Sequence, residues 1–207
     1  YIVEPNKETL IQRISQFELI NKIKIFSKNE LPKEILKSDL IIISTTSGPR
    51  FDIISELIKK NYKGKLLLEK FLYPDFKTLL KAEHIFDNYP SEVFVNQWMR
   101  STELIHIFDD FEKGEILIKG NGIGILCNFV HYIDLITGQL CIDDFVFDKK
   151  KSNISEIIFS KRDGYHEIKG SLTWNSKNKD ISFTIADNGD LKNNNQREIL
   201  FEVNNSL

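Results

Sequence analysis

Over the first 95 positions, apolar residues fall in short runs whose period keeps changing. YIVE (1–4) is strand-like, and Leu10, Ile14 and Phe17 then recur at helical spacing through 7–20. KIKIF (22–26) is a second strand candidate. DLIIIST (39–45) is the strongest, a continuous β-branched run of the kind shown by a strand covered on both faces. Phe51, Ile54, Leu57 and Ile58 mark a helix over 50–60. KLLLE (65–69) after Gly64 is another buried strand, a Leu- and Ala-rich helix follows at 75–87, and EVFVNQ (92–97) closes the series. Strand, helix, strand with short links predicts a parallel, doubly wound sheet.

After residue 97 the texture changes. Residues 101–112 have a helical pattern, GEILIK (114–119) is extended, and a Gly-rich turn leads into GILCNFVHYIDLI (124–136), a predicted helix. From 141 onward DDFVFD, SEIIFSKR, YHEIKGSLTW, DISFTIA and REILFEV alternate with period two, separated by turn residues such as Asp163-Gly164 and Asn188-Gly189. An Asp-Gly step between apolar strands signals a hairpin. The expected fold class is α/β. An incomplete Rossmann-like parallel-sheet domain over 1–97 is followed by an α+β domain over 98–207 with a mostly antiparallel open sheet.

Charge narrows the function. With 28 Lys and Arg against 30 Asp and Glu, the net charge of −2 gives no basic footprint for nucleic acid or an anionic membrane surface. The apolar runs are too short to cross a bilayer. Cys127 and Cys141 lack a metal-ligand spacing, so no metal is expected, and the cysteine usage fits a reducing, cytoplasmic compartment. The opening YIVEPNKE reads as a strand and a turn, not a leader.

In a parallel α/β sheet, ligands bind outside the carboxyl ends of the strands. The residues just after each strand are therefore the candidates: Glu4, the turn Ser44–Gly48 with Thr45 and Thr46, the pair Glu69-Lys70, and the run Asn96–Arg100 with Trp98. Within 124–136, Cys127, His131 and Asp134 share one helix face at spacings of four and three. Taken alone, that face is ordinarily read as a buried histidine salt-bridged to its own helix, the other reading being a proton-transfer group beside a substrate.

Two separated segments carry a family resemblance. DLIIISTTSGPRFDIISELIKKNYKGKLLLEKFLYPD and the later GIGILCNFVHYIDLI together resemble the Gfo/Idh/MocA (glucose–fructose oxidoreductase / inositol dehydrogenase) family of nicotinamide-dependent oxidoreductases. In that family a strand ends in a Thr-containing turn, the next ends in Glu-Lys-Pro, and a later helix carries Asp-x-x-x-His-x-x-Asp. The resemblance implies that Lys70 lies near nicotinamide and substrate, where a cation steadies charge on a substrate oxygen. It implies that His131 touches substrate as acid or base, a role suited to an imidazole titrating near neutral pH. Asp134 is implied as an orienting acid and Asn128 as a further substrate contact. Thr45, Thr46, Glu69, Trp98 and Arg100 are implied beside the cofactor. Glu4 matches the acid at the end of the second strand, which would hold the ribose and favour NAD over NADP.

Departures from the pattern are specific. The family's catalytic Asp falls on Cys127, and a thiol is mostly neutral at pH 7. The Pro of Glu-Lys-Pro is Phe71. No Gly-x-Gly-x-x-Gly occurs; the family's first strand and phosphate loop are expected about 25–30 residues before Glu4. The chain is thus expected to be a fragment, or the product of a truncated gene, binding NAD poorly by itself. The expected function is an NAD(P)-dependent oxidoreductase acting on a sugar, sugar nucleotide or cyclitol. The alternative is a non-catalytic binding or assembly protein on the same scaffold. A homo-oligomer, a dimer through the open sheet, is expected in either case.

Overall fold

The computed structural model describes residues 1–4, 6–17, 22–26, 33–160, 164–187 and 199–205. The predicted turn residues Asp163, Asn188 and Gly189 lie outside them, as do Lys161 and Arg162. The chain divides into two compact units, Tyr1–Asn96 and Gln97–Leu207.

In the first unit, β1 (Ile2–Val3) pairs in parallel with β2 (Ile25–Phe26), and α1 (Lys7–Ile14) lies between them in sequence. Asn6 caps α1 by accepting from the Thr9 N–H at 3.2 Å. A second parallel sheet has the order β3 (Leu40–Ile43), β4 (Lys65–Leu68), β5 (Val93–Val95). It is linked by α2 (Ser47–Lys59) and α3 (Phe76–Phe86), the second capped by Asp75 on the Thr78 N–H. Ile43, Ile54, Leu57, Tyr62, Leu66 and Leu68 form its core.

Three expectations change here. The strand expected to be covered on both faces is half-exposed: Leu40 and Ile42 are 46% and 61% accessible, whereas Ile43 is buried. Alternate residues of a strand point to opposite faces, and among the described residues only the Ile41/Ile43 side of β3 packs on the core. The helix over 7–20 is shorter, ending at Ile14. The helix over 101–112 is replaced by two 3₁₀ turns, Trp98–Ser101 and Glu103–His106. Thr102 divides them with an extended backbone, and its hydroxyl donates to Met99 O at 2.8 Å and accepts from the Leu104 N–H.

In the second unit, α4 (Ile125–Leu140) packs on an open sheet of order β11 (Ile199–Asn205), β6 (Gly114–Gly120), β10 (Ile181–Asp187), β9 (His166–Ser176), β7 (Phe145–Phe147). β8 (Asn153–Phe159) pairs with the first half of β9. Only the β6–β10 pair is parallel among the described strands of this sheet. Period-two alternation puts Ile116, Ile118, Ile168, Leu172, Trp174, Phe183 and Ile185 on one face, where they meet Tyr132, Leu135 and Ile136 of α4. Among the described residues no helix is long and apolar enough to cross a membrane.

Candidate functional site

The carboxyl edge of the β3–β4–β5 sheet is built by backbone ties. The N–H of Glu69 donates to Ile43 O at 3.2 Å, and that of Asn96 to Leu68 O at 2.8 Å. The Asn96 side-chain amide donates to the Glu69 carboxylate, joining the ends of β4 and β5. Lys70 follows directly, its ammonium 5.6 Å from the centre of the Phe71 ring. Thr46 stands at the N-cap of α2 without a side-chain cap bond, and the buried hydroxyl of Thr45 has no hydrogen-bond partner. Glu4 lies at the end of β1, its carboxylate accepting from the Asn6 N–H at 3.1 Å.

Sequence reasoning missed Arg50. It is fully buried, on the apolar face of α2 with Ile54 and Leu57. Its guanidinium donates to Thr45 O after β3, and to Phe71 O and Leu72 O (2.9 Å) after β4. One side chain therefore fastens the Thr45 turn to the turn that carries Lys70. It does so where the resemblance places a Pro and this chain has Phe71, so the turn is fixed from outside instead of by a ring. Burial lowers the Arg50 pKa, and the Glu69 carboxylate opposes that. Burial also pushes the Tyr73 phenol up to about 12, and its hydroxyl, like Arg50 Nε, has no partner. The available signal was positional: residues 50, 54 and 57 share a helix face, and one of them is a cation.

In the second unit, the Gly-rich turn before α4 is held by two buried carboxylates. Asp187 accepts from the N–H groups of Gly122 (2.8 Å) and Gly124 (3.0 Å). Glu167 accepts from those of Leu126 (2.8 Å) and Cys127 (2.9 Å). Four backbone donors at the helix entry are thus satisfied from β9 and β10. Gly124 is required here: its φ is +70°, and a Cβ would lie 3.1 Å from a Glu167 oxygen. Asn128 donates its amide to Ile123 O at 2.6 Å, closing the same turn.

His131 is 4% exposed, and its ring is tied to residues outside its own helix. Its Nδ1 lies 2.8 Å from the side-chain oxygen of Gln97, and the Trp98 ring meets it edge-on with centroids 5.9 Å apart. Asp134, one turn further on, is gripped by Arg100 through both carboxylate oxygens, at 2.6 and 2.7 Å. The structure therefore brings Trp98 and His131 together, and Arg100 and Asp134 together, within this unit. Glu4, Thr45, Thr46, Glu69 and Lys70 belong to the first unit. Among the described residues no group of three or more His, Cys, Asp or Glu is placed to hold a metal ion.

No protein-family model and no curated protein matches the sequence. Solved structures do. A probable dehydrogenase from Thermotoga maritima is 11% identical over 100% of this chain and 65% of its own, with a TM-score of 0.69. The myo-inositol dehydrogenase of Lactobacillus casei, described in complex with NAD(H) and myo-inositol, is 12% identical over 99% of this chain and 66% of its own, with a TM-score of 0.68. The super-repressor mutant of Gal80p from Saccharomyces cerevisiae is 14% identical over 99% and 63%, with a TM-score of 0.65. The chain spans just under two thirds of the length of each of these three. Its fold is that of the Gfo/Idh/MocA-type oxidoreductases, a parallel-sheet α/β unit followed by a mostly antiparallel sheet. At these identities the likeness is one of fold.

Proposed function

We propose that this chain belongs to an NAD(P)-dependent oxidoreductase that interconverts an alcohol and a carbonyl on a sugar, sugar nucleotide or cyclitol. The observation that carries the reading is His131, a buried imidazole held at one ring nitrogen by Gln97, in the helix whose pattern resembles the family's substrate-binding motif. The fold likeness to a dehydrogenase described with NAD(H) and myo-inositol supports the same class.

The residues present fit the ribose and nicotinamide ends of such a cofactor. The orphaned Thr45 hydroxyl is a buried polar atom that a bound amide or hydroxyl would satisfy, and the Glu4 carboxylate is an acceptor suited to a ribose diol, which favours NAD. Bound nicotinamide would supply the hydride acceptor or donor. The chain supplies the rest: in the second unit His131 takes or returns the hydroxyl proton, and in the first unit Lys70 is the cation that the resemblance implies beside the nicotinamide. Trp98, packed on His131, shields the ring from water. Asn128 and the Arg100–Asp134 pair hold the helix that presents it. We further propose a homo-oligomer, a dimer through the open sheet of the second unit.

The test is to supply NAD or NADP with myo-inositol and a panel of sugars and follow reduced nicotinamide by absorbance. Turnover abolished in both Lys70→Ala and His131→Ala supports the assignment. Turnover unchanged in both variants, or none with any polyol despite cofactor binding measured by calorimetry, overturns it in favour of a binding protein.

A further inference from the structure

We infer that Gln97 is a positioning residue that sets the tautomer of His131, leaving Nε2 as the ring's proton acceptor. The inference rests on the proton-transfer role proposed for His131. With the Gln97 amide oxygen 2.8 Å from Nδ1, the ring nitrogen facing it must carry the hydrogen and donate. A neutral imidazole has one N–H, so Nε2 then carries the lone pair. In water the neutral ring prefers the opposite arrangement, with the proton on Nε2, which is useless for accepting a proton there.

Two features give this contact its force. His131 is 4% exposed, so bulk water does not compete for Nδ1. The Trp98 ring, at 68° to the imidazole, restricts its rotation. Gln97 opens the second unit and reaches a helix residue 34 positions away, so the contact is tertiary. The resulting logic is that of a general base oriented by a third group. Here the orienting group is a neutral amide, which fixes the ring without adding a negative charge beside it. In the oxidative direction the substrate O–H bond breaks and its proton forms the N–H bond on Nε2, giving imidazolium. The electron pair of the carbinol C–H bond leaves with the hydride and does not pass through the ring.

The tautomer is read directly by long-range ¹H–¹⁵N correlation on uniformly ¹⁵N-labelled protein at about pH 8.5, two units above the ordinary imidazole pKa. The chain has four histidines, and the His131→Asn spectrum assigns the signals of the fourth by their loss. The expected result is a protonated-type Nδ1 and an unprotonated-type Nε2 for His131, without cofactor or substrate. Gln97→Leu should move His131 to the opposite tautomer, and Gln97→Glu, which keeps an acceptor, should retain the original one. A wild-type His131 protonated at Nε2 overturns the inference whether or not any variant folds. So does an unshifted tautomer in folded Gln97→Leu. Where turnover is found, Gln97→Leu should lower kcat at least about tenfold with KM little changed, the loss expected for a misdirected general base. An equal rise in KM at constant kcat would assign Gln97 to substrate binding instead. Absence of turnover bears on the oxidoreductase reading, whereas the spectrum bears on Gln97.

Discussion

Arg100 and Asp134 form a two-pronged ion pair whose geometry depends on a third residue, Gly138. A Cβ at Gly138 would lie 2.6 Å from Arg100 Cζ, so the guanidinium reaches Asp134 across the gap that glycine leaves on α4. Arg100 is half-exposed, so solvent screens the pair and its worth is about 1 kcal/mol or less. Replacing a helical glycine by alanine gains roughly 0.5–1 kcal/mol by itself. Gly138→Ala should therefore show its full gain in an Arg100→Met background and little or none in the wild type. Urea unfolding of the four proteins checks this. Equal gains in both backgrounds would mean that the guanidinium does not lie over Gly138.

Arg50 is the buried fastener of the first unit. Arg50→Met leaves the carbonyls of Thr45, Phe71 and Leu72 without their donor, at a cost of about 3 kcal/mol or more. Arg50→Lys should fail to restore stability, because a single ammonium cannot span two turns as a planar fork does. Hydrogen exchange followed by mass spectrometry should show the loss first in the segment 69–73. Uniform destabilisation, with no excess exchange there, would contradict the fastening role.

Two carboxylates are held below their ordinary pKa in the folded chain, which predicts a loss of stability in acid. The Thr78 N–H and hydroxyl hold Asp75 below the usual carboxylate value, and the Asn175 amide and the Lys151 N–H do the same for Asp148. A depressed folded pKa means that the unfolded chain binds more protons, so stability rises with pH across the interval. The contribution is complete above the unfolded value of about 3.9 and disappears as pH falls through the folded one. Asp75→Ala and Asp148→Ala should each flatten the stability profile below about pH 4. Thermal melts from pH 2 to 7 measure it.

The outer strand β8 carries Ile154, Ile157 and Phe159, of which the last two are 69% and 83% exposed. A register shift between Ile154 and Glu156 opposes one extra residue to β9, which puts Ile154 in line with the other two. An apolar row of this kind is the surface through which the proposed dimer would bury the sheet. Ile157→Lys combined with Phe159→Ser should convert a dimer to a monomer by light scattering. A wild-type monomer at micromolar concentration would sink the proposal.

Much of this is legible in the sequence. The strand and helix periods located β3, β4, α4 and the alternating strands of the second half, because period two and period 3.6 are set by local backbone geometry. Residues 101–112 misled for the same reason. Their apolar spacing suits a helix, but the hydroxyl of Thr102 satisfies backbone groups locally and splits the segment. The exposed side of β3 was equally hidden, since a β-branched run records propensity and not what covers it.

By itself the sequence determined the order of elements and the two motifs that resemble an oxidoreductase family. It also showed the replacement of an acid by Cys127 and of a proline by Phe71. Only the tertiary structure decided partners. His131 meets Gln97, Asp134 is taken by Arg100, and an arginine sits on an apolar face because three carbonyls accept from it there. Local periodicity fixes which face a side chain occupies. The hydrogen bonds between residues 34 apart are fixed by packing, which no spacing along the chain records.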